Sequence, residues 1–205
     1  MNLMARALRI LVDIIFPPRD TELLVKKCHF SLLEKIYRPQ TIRIEEIPIV
    51  ALLPYRSSLV QAFILEAKFH NNKKAQEFLG RILEIYLRKA LASSESLAIV
   101  PLPLGKKRVK ERGYSQVERI ARYSGFPLEI ELLVRARETT PQTTLGREAR
   151  IHNMEGAFSV NTAIRSAATY ILLDDVVTTG ATLLAAHEAL TKAGVKEVFP
   201  LALAH

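Results

Sequence analysis

A single cysteine, Cys28, in 205 residues leaves no partner for an internal disulfide and no basis for a multi-cysteine metal site. That scarcity fits a reducing compartment, so a cytoplasmic location is expected. Tryptophan is absent and aromatic residues make up only 7% of the chain, which leaves no evident surface for stacking bases. No apolar run is long enough to span a bilayer. The 8 glycines never fall two apart, so the G-x-G-x-x-G dinucleotide fingerprint is missing. The G-x-x-x-x-G-K-[ST] loop of nucleoside triphosphatases is missing too. His187-Glu188 lacks the second histidine of H-E-x-x-H, and Cys28-His29 has no companion ligands, so no zinc site is expected. His152 has no evident catalytic partner and reads as a loop or core histidine. Internal repeats and low-complexity tracts are absent.

What is present begins with a formal net charge of +8, which favours anionic partners: phosphorylated metabolites, nucleic acid or an anionic membrane surface. The length suits one domain with a small accessory segment. In the opening stretch MNLMARALRILVDIIF, Asn2, Arg6, Arg9 and Asp13 share a narrow polar wedge of a helical wheel. Two readings stand for it: a helix packed on the body of the protein, or one that meets an interface or partner. The pattern is not that of a signal peptide.

Pro17-Pro18 ends that first helix, and TELLVKKCHFSLLEKIY predicts a second, capped near Asp20 or Thr21. Residues 38–46 read as a connector. IPIVALL predicts a strand, and SSLVQAFILEAKF and KKAQEFLGRILEIYLRKAL predict helices of 3.6 period. LAIVPLP reads as a short buried strand, GKKRVKERG as a basic loop, and YSQVERIARYSG as a helix closed by Gly125. LEIELLVRAR, AFSV, TYILLDD and KEVFPLALA are the remaining strand candidates. Apolar strands alternating with helices imply an α/β fold with a mainly parallel sheet, covered on both faces. Sites in such sheets sit at the carboxyl ends of strands, which singles out residues 101–113 and 174–182.

In YILLDDVVTTGATLLAAHEAL an apolar strand meets Asp174 and Asp175, then a turn, then a helix. Successive amides from Val176 through Val177, Thr178, Thr179, Gly180, Ala181 and Thr182 can converge into an anion cradle at a helix N-terminus. Gly180 permits close backbone approach, and the threonines add hydroxyl donors. The acids would repel a phosphate set directly against them, but they suit neighbouring sugar hydroxyls or an associated Mg²⁺. A 5-phosphate beside a ribose follows. The plain alternative is that Asp175 or a threonine caps the helix. Lys106, Lys107, Arg108, Lys110 and Arg112 form a second feature, readable either as a solvated basic face or as a site for pyrophosphate.

ILLDDVVTTGATL resembles the signature with which type I phosphoribosyltransferases bind 5-phosphoribosyl-1-pyrophosphate (PRPP). VPLPLGKKRVKERGYSQVERIAR narrows the resemblance to the ComF/GntX family, as does RARETTPQTTLGREARIHNMEGAF. YRSSLVQAFILEAKFHNNKKAQEFLGRIL is similar to that family's Y-x-x-x-[LI]…[FL]-K-[FY] region, so the likeness runs from about residue 47 onward. The chain departs from the family where many members carry a four-cysteine zinc ribbon. Phe16-Pro17-Pro18 survives, but Asp20 stands where the first cysteine would be.

The resemblance implies a helical segment over residues 1–45, with the zinc ribbon lost, and a phosphoribosyltransferase-like domain over 46–205. It implies that Asp174 and Asp175 meet the ribose hydroxyls while residues 176–182 enclose the 5-phosphate. Lys106, Lys107, Arg108 and Arg112 would face the pyrophosphate. Residues 137–150 would form a loop over the site, with Arg137, Gln142, Arg147 and Arg150 contributing; the plain alternative there is a connector. The implied activity is transfer of the 5-phosphoribosyl group from Mg²⁺–PRPP to an acceptor that no residue identifies. The same resemblance also implies a different class, a DNA-uptake module binding single-stranded DNA or a competence-machinery protein. A PRPP-sensing regulator without turnover is the third.

Overall fold

The computed structural model describes residues 17–90, 96–137, 154, 156–161 and 169–205. The opening helical pattern over 1–16 lies outside them. Pro17 and Pro18 lead into α1 (Asp20–Lys27). The single helix expected over 21–37 is instead interrupted at Cys28-His29. A 3₁₀ turn (Phe30–Leu32) then runs into α2 (Leu33–Ile36). Neither Asp20 nor Thr21 caps α1, because Arg19 holds the N-cap position and the Thr21 hydroxyl is bonded elsewhere.

The proposed connector over 38–46 contains a strand, β1 (Gln40–Ile44), paired antiparallel with β2 (Ile47–Leu53). The two-residue turn between them places Glu45 and Glu46 at φ of 48° and 65°. Tight hairpins favour that twist but usually recruit Asn or Gly for it, so two glutamates gave no warning. Next come α3 (Ser58–Phe69), α4 (Lys73–Ala90) and β3 (Leu97–Pro101).

The basic stretch is also corrected, from a loop to a helix, α5 (Lys106–Arg112). Lys, Arg and Glu are good helix formers, and Gly113 ends the turn at φ 73° with its N–H donating to the Val109 carbonyl. Then follow α6 (Gln116–Arg122) and the small antiparallel pair β4 (Leu133–Arg135) and β5 (Phe158–Val160). Only three residues of the LEIELLVRAR candidate are therefore strand. β6 (Thr169–Val176), α7 (Ala181–Lys192) and β7 (Val198–Ala204) complete the described chain.

Among the described residues five strands form one sheet in the order β1-β2-β7-β6-β3. All pairings except β1–β2 are parallel. This is the expected α/β architecture, a mostly parallel mixed sheet flanked by helices, and it is compatible with a type I phosphoribosyltransferase-like arrangement. Within β6 the side chains alternate. Ile171 and Leu173 join the core formed with α3, α4 and α6, where Phe63 and Phe78 stack. Tyr170 and Leu172 join the core formed with α7 and the β4–β5 pair. Each such buried side chain stabilises the fold by about 1.5–3 kcal/mol relative to exposure.

Register fixes where the strands end. Leu173 pairs with Pro101 on one side and Leu201 on the other, so Asp174 to Val176 emerge beside Ala202 to Ala204. No helix among the described residues is long and apolar enough to cross a membrane.

Candidate functional site

β6 ends at Val176, and residues 177–180 carry the chain into the N-terminus of α7. Gly180 sits at the N-cap with φ 76°, a left-handed conformation that disfavours side chains. A Cβ there would also lie 2.4 Å from Ile44 Cδ1 and 3.3 Å from Ile49 Cδ1. Glycine is thus required twice, by torsion and by contact with the hairpin. The turn is anchored from behind: the Val177 N–H donates to the Ala204 carbonyl at 3.0 Å, and His205 Nδ1 lies 3.1 Å from the Val177 carbonyl oxygen. In front is a small pocket of about 40 Å³, lined by Asp174 and the continuous run from Val176 to Leu183. The positive end of α7 faces this pocket. Every residue from 176 to 182 expected at an anion cradle therefore lines one space. Gly180, at the N-cap, has no side chain to cap α7, but the Thr179 hydroxyl accepts the Ala181 N–H at 3.5 Å, so a threonine does serve the helix end while Asp175 is bonded to Lys68, Gln116 and the Val176 amide instead.

Adjacent acids on a strand point to opposite faces. Asp174 takes the α7 side and borders the pocket, with one oxygen accepting the Asp175 N–H at 2.8 Å. Asp175 takes the α3/α6 side, only 7% exposed. Its Oδ2 accepts from Lys68 Nζ and Gln116 Nε2, both at 2.9 Å, and its Oδ1 accepts from the Val176 N–H at 2.8 Å. Electrostatics separate the two further. Burial, reinforced by repulsion from Asp175, pushes the Asp174 carboxyl up to about 8. Burial acts on Asp175 the same way, but Lys68, Gln116 and the Val176 amide outweigh it and hold that carboxyl below its ordinary range. The two neighbouring carboxyls are thus pushed in opposite directions because their surroundings differ.

Of the cations expected at a pyrophosphate, Lys106, Lys107 and Arg108 stand exposed on α5. Arg112 is half-buried: its Nη1 donates to Gln116 Oε1 at 3.1 Å and its guanidinium lies 5.0 Å from the Phe69 ring centroid. Burial and the nearby Arg108 draw its pKa down, partly countered by attraction to Asp175. Arg112 is thus linked to the acid pair both through Gln116 and by attraction to Asp175. Arg137 is exposed just beyond β4. Gln142, Arg147, Arg150 and His152 lie outside the described residues.

Lys68 and Gln116 are site residues that the residue-by-residue reading missed. Lys68 had a signal, the Lys-Phe pair closing the helical pattern, but a lysine in a last turn ordinarily complements the helix dipole. Tyr114 fixes that helix end. Its hydroxyl donates to the Ala67 carbonyl at 3.1 Å and accepts the Asn71 N–H at 2.9 Å. Among the described residues no group of three or more His, Cys, Asp or Glu side chains is gathered as a metal cage. Of the two carboxyls only Asp174 borders the pocket, and it would suit a Mg²⁺ that brings its own phosphate oxygens, the usual mode for that ion.

No family model matches the chain. Over 152 residues it is 32% identical to competence protein F of Haemophilus influenzae, covering 69% of this chain and 64% of that protein. It is 32% identical over 143 residues to competence protein ComFC of Streptococcus pneumoniae, covering 64% of each. To DNA utilization protein YhgH of Escherichia coli it is 26% identical over 142 residues, or 66% of this chain and 62% of that one. The aligned part thus spans a little under two thirds of each of these relatives. Over that part the chain is thus similar to proteins named for competence and for DNA utilization.

Proposed function

We propose that the pocket at the carboxyl end of β6 binds the 5-phosphate of PRPP or a related ribose 5-phosphate, and that the protein transfers the phosphoribosyl group to an acceptor. The observation that supports this most is the shared wall: Asp174 borders the same small space as residues 176–183. An anion cradle and an acid that meets its edge suit a phosphate with a diol beside it. In the reaction the bond from C1 of the ribose to pyrophosphate breaks, pyrophosphate leaves with the bonding electrons, and a bond to the acceptor forms as the acceptor gives up a proton to solvent. Residues 176–182 hold the phosphate still, Asp174 meets the ribose, and Arg112 supplies a cation near the leaving group; preorganised charge of this kind lowers such barriers. Mg²⁺ bound with PRPP, held by Asp174, would offset negative charge gathering on the pyrophosphate.

Calorimetric titration with Mg²⁺–PRPP and with ribose 5-phosphate tests the reading. Wild-type protein should bind both, and the Asp174→Asn/Asp175→Asn variant should bind neither. Equal binding by the two proteins removes the proposal. Pyrophosphate release in a screen of nucleobases and amines then separates an enzyme from a PRPP sensor, which binds without turnover.

A second reading has its own observation. The cations Lys106, Lys107 and Arg108 of α5 are exposed to solvent around a short basic helix, and the relatives are named for competence and DNA utilization. That helix would meet single-stranded DNA through its phosphates. Binding whose logarithm falls steeply with log salt, and is lost on neutralising Lys106, Lys107 and Arg108, favours this reading. No binding, or a flat salt response, favours the phosphosugar.

A further inference from the structure

The acid pair is asymmetric in a way that sequence adjacency conceals. A carboxylate offers about four acceptor positions. Three on Asp175 are taken, by Lys68 Nζ, Gln116 Nε2 and the Val176 amide. The donors come from three elements, α3, α6 and β6, so the side chain is clamped between both helices and the strand. Asp174, on the other face, borders the pocket. Lys68 itself is held in place, since the carbonyl of its neighbour Ala67 accepts from the Tyr114 hydroxyl. Its side chain is 24% exposed, and its helix packs into the core on the side of the sheet away from α7.

We infer that Lys68 is a positioning residue for the ligand site: it clamps Asp175, and through the peptide linking the two acids it fixes Asp174 at the pocket wall. The inference rests on the phosphosugar reading above and divides its acid pair into a ligand-facing member, Asp174, and an anchoring member, Asp175. The link between them is explicit, because the Asp175 N–H donates to Asp174 Oδ1. Lys68 then acts on the ribose end of a ligand without touching its pyrophosphate.

The test compares two ligands that share the ribose and the 5-phosphate, each titrated with the same Mg²⁺ in the buffer, so that they differ at C1, where PRPP carries the pyrophosphate. Ribose 5-phosphate and Mg²⁺–PRPP are titrated calorimetrically against wild type, Lys68→Met, Asp175→Asn and the double variant. Lys68→Met should weaken both ligands by the same factor, roughly 10- to 100-fold, the usual effect of losing a residue that orients a ligand-binding group. The double variant should bind about as well as the weaker single, because both changes break one contact. Circular dichroism checks folding, and Lys68→Gln, which keeps a donor, replaces Lys68→Met if the latter is unfolded; it should show a smaller but still equal loss. A loss confined to PRPP shows that Lys68 touches the pyrophosphate and overturns the inference, and so does additivity in the double variant. Undiminished binding of both ligands by the Lys68 variants overturns it while the phosphosugar reading stands. Failure of wild type to bind either ligand sinks that reading and this inference together.

Discussion

Arg19 grips Glu66 through two hydrogen bonds of 3.0 Å, Nε to Oε1 and Nη2 to Oε2, across 47 positions of sequence. Glu66 is fully buried on α3, two residues before Lys68. The Thr21 hydroxyl (2.7 Å) and the Asn72 amide (3.1 Å) complete its shell. The N-terminal helices are thereby joined to the element that carries the site lysine.

Arg19→Ala should therefore destabilise the protein by about 1–3 kcal/mol, the cost of leaving a buried charged acceptor short of a donor. The figure is kept below that of a sealed pair because Arg19 is 46% exposed. Burial opposes ionisation of Glu66, yet its three partners bring the carboxyl from 4.5 down to about 2. A depressed carboxyl contributes stability above its unfolded value and loses it as pH falls toward the folded one. Urea midpoints should thus decline between about pH 4.5 and pH 2, and Glu66→Gln should flatten that decline.

Asp174 should show the opposite sign. Its carboxyl is raised from 3.8 to about 8, so the folded state holds more protons than the unfolded one between those limits, and stability falls as pH rises through them. Asp174→Asn removes the penalty. The variant should be more stable than wild type at pH 8, by about 1–2 kcal/mol, with the gap closing toward pH 4. Thermal unfolding at the two pH values measures it, and ribose 5-phosphate binding should be lost in the same protein.

Gly180→Ala combines a left-handed φ with a Cβ 2.4 Å from Ile44 Cδ1. A cost of about 1–3 kcal/mol is expected, together with loss of ribose 5-phosphate binding. Adding Ile44→Val removes the clashing methyl and should restore only the steric share. Chemical denaturation of the single and double variants separates the two contributions.

Lys106, Lys107 and Arg108 stand exposed, outside the lining of the pocket at the end of β6. Changing all three to Gln should leave ribose 5-phosphate affinity within about two-fold, since surface changes away from a site are usually mild. Affinity for PRPP should fall by about ten-fold or more if they meet its pyrophosphate, given the strength of charge-assisted bonds. Parallel calorimetry with the two ligands reads the difference.

The anion-cradle segment was legible because its logic is local: an apolar strand, two acids, a turn with one glycine and a helix occupy consecutive residues. The hairpin turn at Glu45-Glu46 was not, since its positive φ values are imposed by strand pairing on residues that do not favour them. The basic segment misled in another way. Charge run and helix propensity coexist there, and repulsion between exposed cations was too weak to prevent a helix. Lys68 carried a visible lysine-phenylalanine signal, yet its partner is 107 positions away, at Asp175.

Sequence by itself determined the α/β class, the buried strands and the position of the turn after β6. These depend on hydropathy period and on torsions available to single residues. Only the tertiary structure decided which acid meets the pocket and which is clamped, that Ile44 closes on Gly180, and that Glu66 is buried with Arg19. Those outcomes depend on sheet order and helix packing, which bring distant side chains within hydrogen-bonding reach and remove water from between them.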